Sequence, residues 1–139
     1  MNMNMADEKL HILIIEDDYY VRELYERVLS NAGFDVFSAA DGQEGYQLAL
    51  RNPDLILLDI MLPGRNGLTV LRQLKDSDQT KNIPVIVLTN LGQQSTIKEA
   101  MESGAEEYLL KPEVDPYELA KRIQEYFDTK QVISTEDVN

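Results

Sequence analysis

The sequence has no cysteine and no tryptophan, and its one histidine is His11. Without cysteine there is no disulfide, no thiolate zinc site and no thiol nucleophile, and the redox compartment is left unspecified. One histidine argues against a multi-histidine metal centre and against a Ser-His triad. Basic residues are scarce: 13 Lys and Arg stand against 25 Asp and Glu, a net charge of −12. Phosphate backbones are bound by Lys and Arg, so this balance disfavours a nucleic-acid or anionic-membrane surface. No apolar run approaches the roughly 20 residues of a membrane span. The first nine residues lack the apolar core of a signal peptide. They suggest a disordered leader over residues 1–7 of a cytoplasmic protein.

What is present is one domain's worth of chain. The 139 residues are 43% hydrophobic and 27% charged, the balance of an ordinary globular domain. Five short apolar segments alternate with five helical patterns. Leu10 to Ile15 is an apolar run broken only by His11. Val21, Leu24, Tyr25, Val28 and Leu29 then fall on one helix face, which Asp17 or Asp18 can cap and Gly33 can end. Asp35 to Ala39 is a more mixed strand, followed by Asp41-Gly42 and a helix marked by Tyr46, Ala49 and Leu50. Leu55 to Leu58 is four consecutive aliphatics, the pattern of a strand buried on both faces.

Beyond a Pro63-Gly64 turn, Leu68, Leu71 and Leu74 mark a third helix. Val85 to Leu88 is a fourth strand, and Ile97, Ala100 and Met101 mark a fourth helix. Glu107 to Leu110 is a short fifth strand. Pro116 suits the first turn of a fifth helix whose inner face is Leu119, Ala120, Ile123, Tyr126 and Phe127. Residues 129–139 are polar and suggest a frayed tail, too short for an output module.

Fivefold β-α alternation predicts an α/β fold with a parallel sheet covered by helices on both faces. The three continuous apolar strands belong in its centre and the weaker second and fifth at its edges. This is the flavodoxin-like (βα)5 order 2-1-3-4-5.

A parallel sheet puts the carboxyl ends of its strands on one edge, where ligands bind in such folds. That edge receives Glu16, Asp17 and Asp18, then Asp59, Thr89 and Lys111. Clustered carboxylates repel each other, so some are protonated or a cation binds. Oxygen ligands favour a hard ion, and Mg²⁺ is the usual one beside phosphate chemistry. Lys111 and Thr89 supply the charge and the hydrogen bond that a phosphoryl group needs. Asp59 is then a nucleophile that forms an aspartyl phosphate. Each residue alone has a plainer reading: an acidic helix start, a β-branched strand residue, a surface lysine, a turn aspartate. Their convergence on one edge favours chemistry. No Gly-rich phosphate loop follows the first strand, which disfavours a nucleotide site.

With these marks the chain resembles the receiver domains of bacterial two-component response regulators, over roughly Glu8 to Asp128. The motifs are Glu16-Asp17, Asp59, Thr89 and Lys111-Pro112, with Thr89 and Lys111 following Asp59 by 30 and 52 residues. Leu62-Pro63-Gly64, Gly67 and Tyr108 resemble the family's loop and switch aromatic.

The resemblance implies that Asp59 takes a phosphoryl group from a sensor histidine kinase or a histidine phosphotransfer protein. It implies Mg²⁺ held by Asp17, Asp59, Glu16 through water, and the backbone carbonyl of Met61. Lys111 and Thr89 would contact the phosphoryl oxygens. Thr89 and Tyr108 would switch a face of helix four, strand five and helix five toward a downstream protein or a second copy of the chain. Such a protein is a switch rather than an enzyme acting on other substrates. Asn90, Asn66 and Glu16 depart from the commonest residues of the family, and Asn90 bears on the lifetime of the phosphate. Two alternatives stand beside this reading. One is an interaction scaffold without chemistry. The other is a phosphohydrolase of the haloacid-dehalogenase type, which calls for a second Asp where this chain has Met61.

Overall fold

The computed structural model describes residues 8–138, with side chains described through Lys130. The expected leader over residues 1–7 lies outside the described residues. Five strands and five helices alternate: β1 (His11–Ile15), α1 (Tyr19–Asn31), β2 (Asp35–Ala39), α2 (Gly42–Ala49), β3 (Leu55–Leu58), α3 (Gly67–Asp76), β4 (Val85–Thr89), α4 (Gln94–Glu102), β5 (Glu107–Leu110) and α5 (Pro116–Val138). The strands form one parallel sheet in the order β2-β1-β3-β4-β5, the expected flavodoxin-like arrangement.

Side chains alternate across a strand, so each central strand feeds two cores. Leu13, Ile15, Ile56, Leu58, Val85 and Val87 face one side, against Ala49 of α2, Leu71 and Leu74 of α3 and Ala100 of α4. Ile12, Ile14, Leu55, Leu57, Ile86 and Leu88 face the other, against Tyr25 and Leu29 of α1 and Leu119 and Ile123 of α5. All four residues of β3 are buried, as a strand covered on both faces requires.

Short polar side chains begin three helices. Asp18 accepts from the Tyr20 and Val21 amides, Asp41 from the Glu44 amide and Asn66 from the Leu68 amide, each satisfying donors that a helix start leaves free. Gly33 ends α1 with φ of 106°, in the left-handed region that favours glycine.

Several sequence expectations need correction. Leu24 falls on the apolar stripe of α1, and Leu50 and Met101 are among the apolar residues that mark α2 and α4, yet each is 42% exposed. Leu50 is the residue that caps the end of α2. Leu24 and Met101 sit at the margins of their stripes, where apolar spacing alone cannot tell rim from centre. In α4 only Ala100 is buried. The expected frayed tail is also revised: the backbone of α5 is helical through Val138. No Gly or Pro follows Pro116 to stop it. No helix of the described residues is long and apolar enough to cross a membrane.

One close approach ties the fold to its carboxyl edge. A Cβ on Gly67 would lie 2.4 Å from Ile60 Cα and 2.5 Å from the Asp59 carbonyl oxygen. The Gly67 amide also donates to the Ile60 carbonyl at 2.7 Å. Gly67→Ala forces backbone to move and is expected to cost about 1–3 kcal/mol. Urea unfolding measures this, and an unchanged midpoint would contradict the contact.

Candidate functional site

The sheet's hydrogen bonding runs past the strand ends and holds the acids in place. The Glu16 amide donates to the Ala39 carbonyl at 3.0 Å, and the Asp59 amide donates to the Ile15 carbonyl at 3.1 Å. Glu16 and Asp59 are therefore fixed by the same ladders that build the core. Both are buried, while Asp17 between them is exposed. One carboxylate oxygen from each of Glu16, Asp17 and Asp59 lies within 4.8 Å of the others. Like charges this close repel by a few kcal/mol per pair at the dielectric of a protein surface.

Lys111 answers that repulsion. It follows β5, and its ammonium donates to Glu16 Oε1 at 2.6 Å and to Asp59 Oδ2 at 2.8 Å. The side chains of Lys111, Glu16 and Asp59 are 14%, 4% and 6% exposed, so this is a largely buried triad rather than a surface pair. The second oxygens are also held: Glu16 Oε2 accepts from the Asp18 amide at 3.0 Å, and Asp59 Oδ1 accepts from the Met61 amide at 2.9 Å. Burial pushes the Glu16 carboxyl above its ordinary value, and this outweighs the lowering by Lys111 and the Asp18 amide. Burial alone would lower Lys111, but its hydrogen bonds to Asp59 and Glu16 win and raise it.

The remaining expected residues sit close by in different states. Thr89 is fully buried at the end of β4, and its hydroxyl oxygen accepts from the Leu91 amide at 3.3 Å. Tyr108 on β5 is half-buried and donates its hydroxyl to the Leu91 carbonyl. Thr89 and Tyr108 thus grip the two sides of one residue in the β4–α4 loop. Burial and then the Asp59 charge raise the Tyr108 phenol. Met61 presents its amide to Asp59, and the residue is 56% exposed. Asn90 is exposed, and Asn66 serves as the cap of α3.

Sequence reasoning missed two contributors. Gly67 was placed only in a loop, and its close packing under Asp59 has no signature in composition. Arg22 was not singled out: its guanidinium reaches back to the Glu16 and Asp17 carbonyls. An arginine one turn into an amphipathic helix reads as an ordinary solvated charge, and only the folded loop reveals its target.

Chemically, the arrangement offers three carboxylates able to hold a divalent cation and a largely buried ammonium on one Asp, with a buried hydroxyl at the end of β4.

Comparison with known proteins bears on the family and the fold. Residues 12–124 match the family described as "Response regulator receiver domain". The chain is 44% identical over 114 residues to the DNA-binding dual master transcriptional regulator RpaA of Synechocystis, covering 81% of this chain and 47% of that protein. It is 39% identical to the phosphate regulon transcriptional regulatory protein PhoB of Pseudomonas aeruginosa, covering 81% and 49%. The chain therefore spans about half the length of these curated relatives. Among solved structures, a putative response regulator from Chloroflexus aurantiacus is 37% identical with a TM-score of 0.76, covering 85% of this chain and 97% of that one. The Mn(2+)-bound form of response regulator Rcp1 is 26% identical with a TM-score of 0.75, covering 85% and 94%.

The raised Glu16 carboxyl has a consequence for stability. Its folded value lies above the unfolded one, so between the two the native state holds more protons, and stability falls as pH rises through that window. Glu16→Gln removes this dependence. Denaturant unfolding of the metal-free protein, from pH 4.5 upward, is expected to show the variant gaining on the wild type as pH rises. A constant difference would contradict the assignment.

Proposed function

From the premise that this chain belongs to the response regulator receiver domain family, we propose that Asp59 is its phosphoacceptor and that phosphorylation switches the α4–β5–α5 face. The observation that carries this is the Lys111 ammonium bridging Asp59 and Glu16 inside a three-carboxylate cluster. A buried cation against a buried nucleophile is a charge system that transferring a phosphoryl group rearranges.

In the proposed reaction an Asp59 carboxylate oxygen attacks the phosphorus of a phosphohistidine. The new O–P bond forms as the P–N bond breaks, and the departing imidazole keeps the electron pair and takes a proton from solvent water. The donor is a sensor histidine kinase or a histidine phosphotransfer protein. The Met61 amide on Asp59 Oδ1 orients the carboxylate. Lys111, already at Asp59, offsets the negative charge that spreads onto the phosphoryl oxygens in the transition state.

A divalent cation, when bound, would supply positive charge to offset that of the acceptor and phosphoryl oxygens. The site fits one, because three oxygen donors converge and too few cations neutralise them. Mg²⁺ is the ion we assign. Asp17 and Asp59 would hold it directly, Glu16 through water, and the Met61 carbonyl would complete the set. The relative Rcp1 was solved with Mn(2+), an ion of the same oxygen-seeking kind.

The switch follows from the Leu91 contacts. A new phosphoryl oxygen is a charged acceptor for the Thr89 hydroxyl proton. Thr89 turning its hydroxyl toward that oxygen disturbs the Leu91 amide, and with it the loop that Tyr108 holds by the Leu91 carbonyl. With one buried residue, α4 is the helix easiest to shift. The face it forms with β5 and α5 would meet a downstream protein or a second copy of the chain in the cytoplasm. The chain's charge of −12 favours a protein target over direct nucleic-acid contact by this domain.

Incubation with a small-molecule phosphodonor and Mg²⁺ is expected to add one phosphoryl group, read by intact mass. Asp59→Asn and metal chelation should each abolish it. Lys111→Ala should slow it by about 10²–10³-fold. Unmodified wild type in the presence of Mg²⁺ would sink the proposal. Thr89→Ala should still accept the phosphoryl group but leave the amide resonances of Leu91 and Tyr108 unshifted. A wild-type-like shift in that variant would remove Thr89 from the switch.

A further inference from the structure

The Asp17 carboxylate is the least supported part of the cluster. Glu16 is held through both oxygens, by Lys111 and by the Asp18 amide, and Asp59 is held through both of its own. Among the described residues no hydrogen bond or ion pair holds the Asp17 side chain, which is exposed. Its direction depends on the peptide planes on either side of it.

The Asp18 amide, donating to Glu16 Oε2, holds the second of those planes by its N–H, and Arg22 holds both by their carbonyls. Arg22, half-buried in the first turn of α1, donates from Nη1 to the Glu16 carbonyl at 2.8 Å and to the Asp17 carbonyl at 3.3 Å. The guanidinium also stands over the Tyr19 ring, 5.7 Å from its centroid. The Arg22 amide donates to the Asp18 carbonyl as the first α-helical bond. Arg22 thus answers the carbonyls of all three residues between β1 and α1, two through its side chain and one through its backbone. Carbonyls at a strand-to-helix turn otherwise rely on water and leave the turn free to rotate. With both carbonyls pinned by Arg22, the turn holds a carboxylate oxygen of Glu16 and of Asp17 within 4.8 Å of one of Asp59.

We infer that Arg22 is a positioning residue that orders the Glu16–Asp17 turn so that the Asp17 carboxylate is preset for a divalent cation. This rests on the reading of Glu16, Asp17 and Asp59 as a metal site. Positioning and charge make opposite demands here. As a bare cation near the cluster, Arg22 would repel an incoming metal, and its removal would tighten binding. As an anchor, it favours binding, and its removal would weaken it. Supports behind a metal ligand commonly affect affinity by about 10–100-fold.

The test uses the full chain and Mg²⁺ alone, with affinity measured calorimetrically. Arg22→Met keeps the aliphatic stem and removes the donors and the charge. It is expected to weaken Mg²⁺ binding by about 10–100-fold. In the metal-free protein it should also speed hydrogen exchange at the Asp18 amide, which Glu16 Oε2 now accepts. Both carbonyls are served by a single nitrogen, so Arg22→Lys should recover part of the affinity and of the exchange protection. Lysine as weak as methionine would overturn the single-nitrogen contact. Unchanged or tighter Mg²⁺ binding in Arg22→Met, with normal wild-type binding, overturns the Arg22 assignment alone. Wild type that binds no Mg²⁺ overturns the metal reading and this one together. Should Arg22→Met fail to fold, Arg22→Gln carries the test: its side chain is too short to serve both carbonyls, so Mg²⁺ affinity and Asp18 exchange both equal to wild type would overturn the Arg22 assignment.

Discussion

The ion pairs of Lys111 with Glu16 and Asp59 are the constraint around which this molecule is arranged. Removing charges from water is costly, and a buried carboxylate is tolerated when a cation and further donors take the place of the lost water. Here the cation comes from the end of β5 and the acids from the ends of β1 and β3, so one ammonium joins three strands across the sheet. Backbone amides of Asp18 and Met61 complete the acids' hydrogen bonding. Such a triad is weak evidence for stability, because well-packed apolar residues often do better. Its retention makes sense where the charges have work to do, and the surplus negative charge leaves the cluster receptive to a further cation.

Around that triad the fold is unevenly anchored. Leu68, Val70, Leu71 and Leu74 bury much of α3, and both faces of β3 and β4 are covered. By contrast α4 buries Ala100 alone and is tied to α3 on its exposed side by the Arg72–Glu99 ion pair, the kind of contact that contributes little. The loop leading into α4 is held at Leu91 by Thr89 and Tyr108. A rigid site beside a lightly held helix is a physical basis for a switch. A change of charge at the site need move only elements whose packing resists weakly.

Much of this was legible from residue order. The five strands, the parallel sheet with its strand order, and the edge carrying Glu16, Asp17, Asp59, Thr89 and Lys111 all follow from apolar runs ending in polar residues. Less legible was depth within a helix. Leu24, Leu50 and Met101 fit the apolar spacing yet lie at the rim, because spacing gives a direction around a helix axis and not the extent of the neighbour it meets. The end of α5 was misjudged for a related reason. A polar composition reads as a tail, but polar residues without Gly or Pro do not stop a helix.

The sequence by itself determined the class of fold and the chemical inventory of one edge, because strand direction and alternation place strand ends without reference to distance. It also determined the make-up of this chain: no cysteine, a single histidine and a net charge of −12. Only the tertiary structure decided how the inventory is wired. It placed Lys111 between Glu16 and Asp59, set Thr89 and Tyr108 on opposite sides of Leu91, packed Gly67 under the Asp59 carbonyl and turned Arg22 back onto the β1–α1 turn. Each of these depends on separations of a few ångströms between residues brought together by different elements. Periodicity carries no information at that scale, because it fixes which way a side chain faces and leaves open which atom it meets.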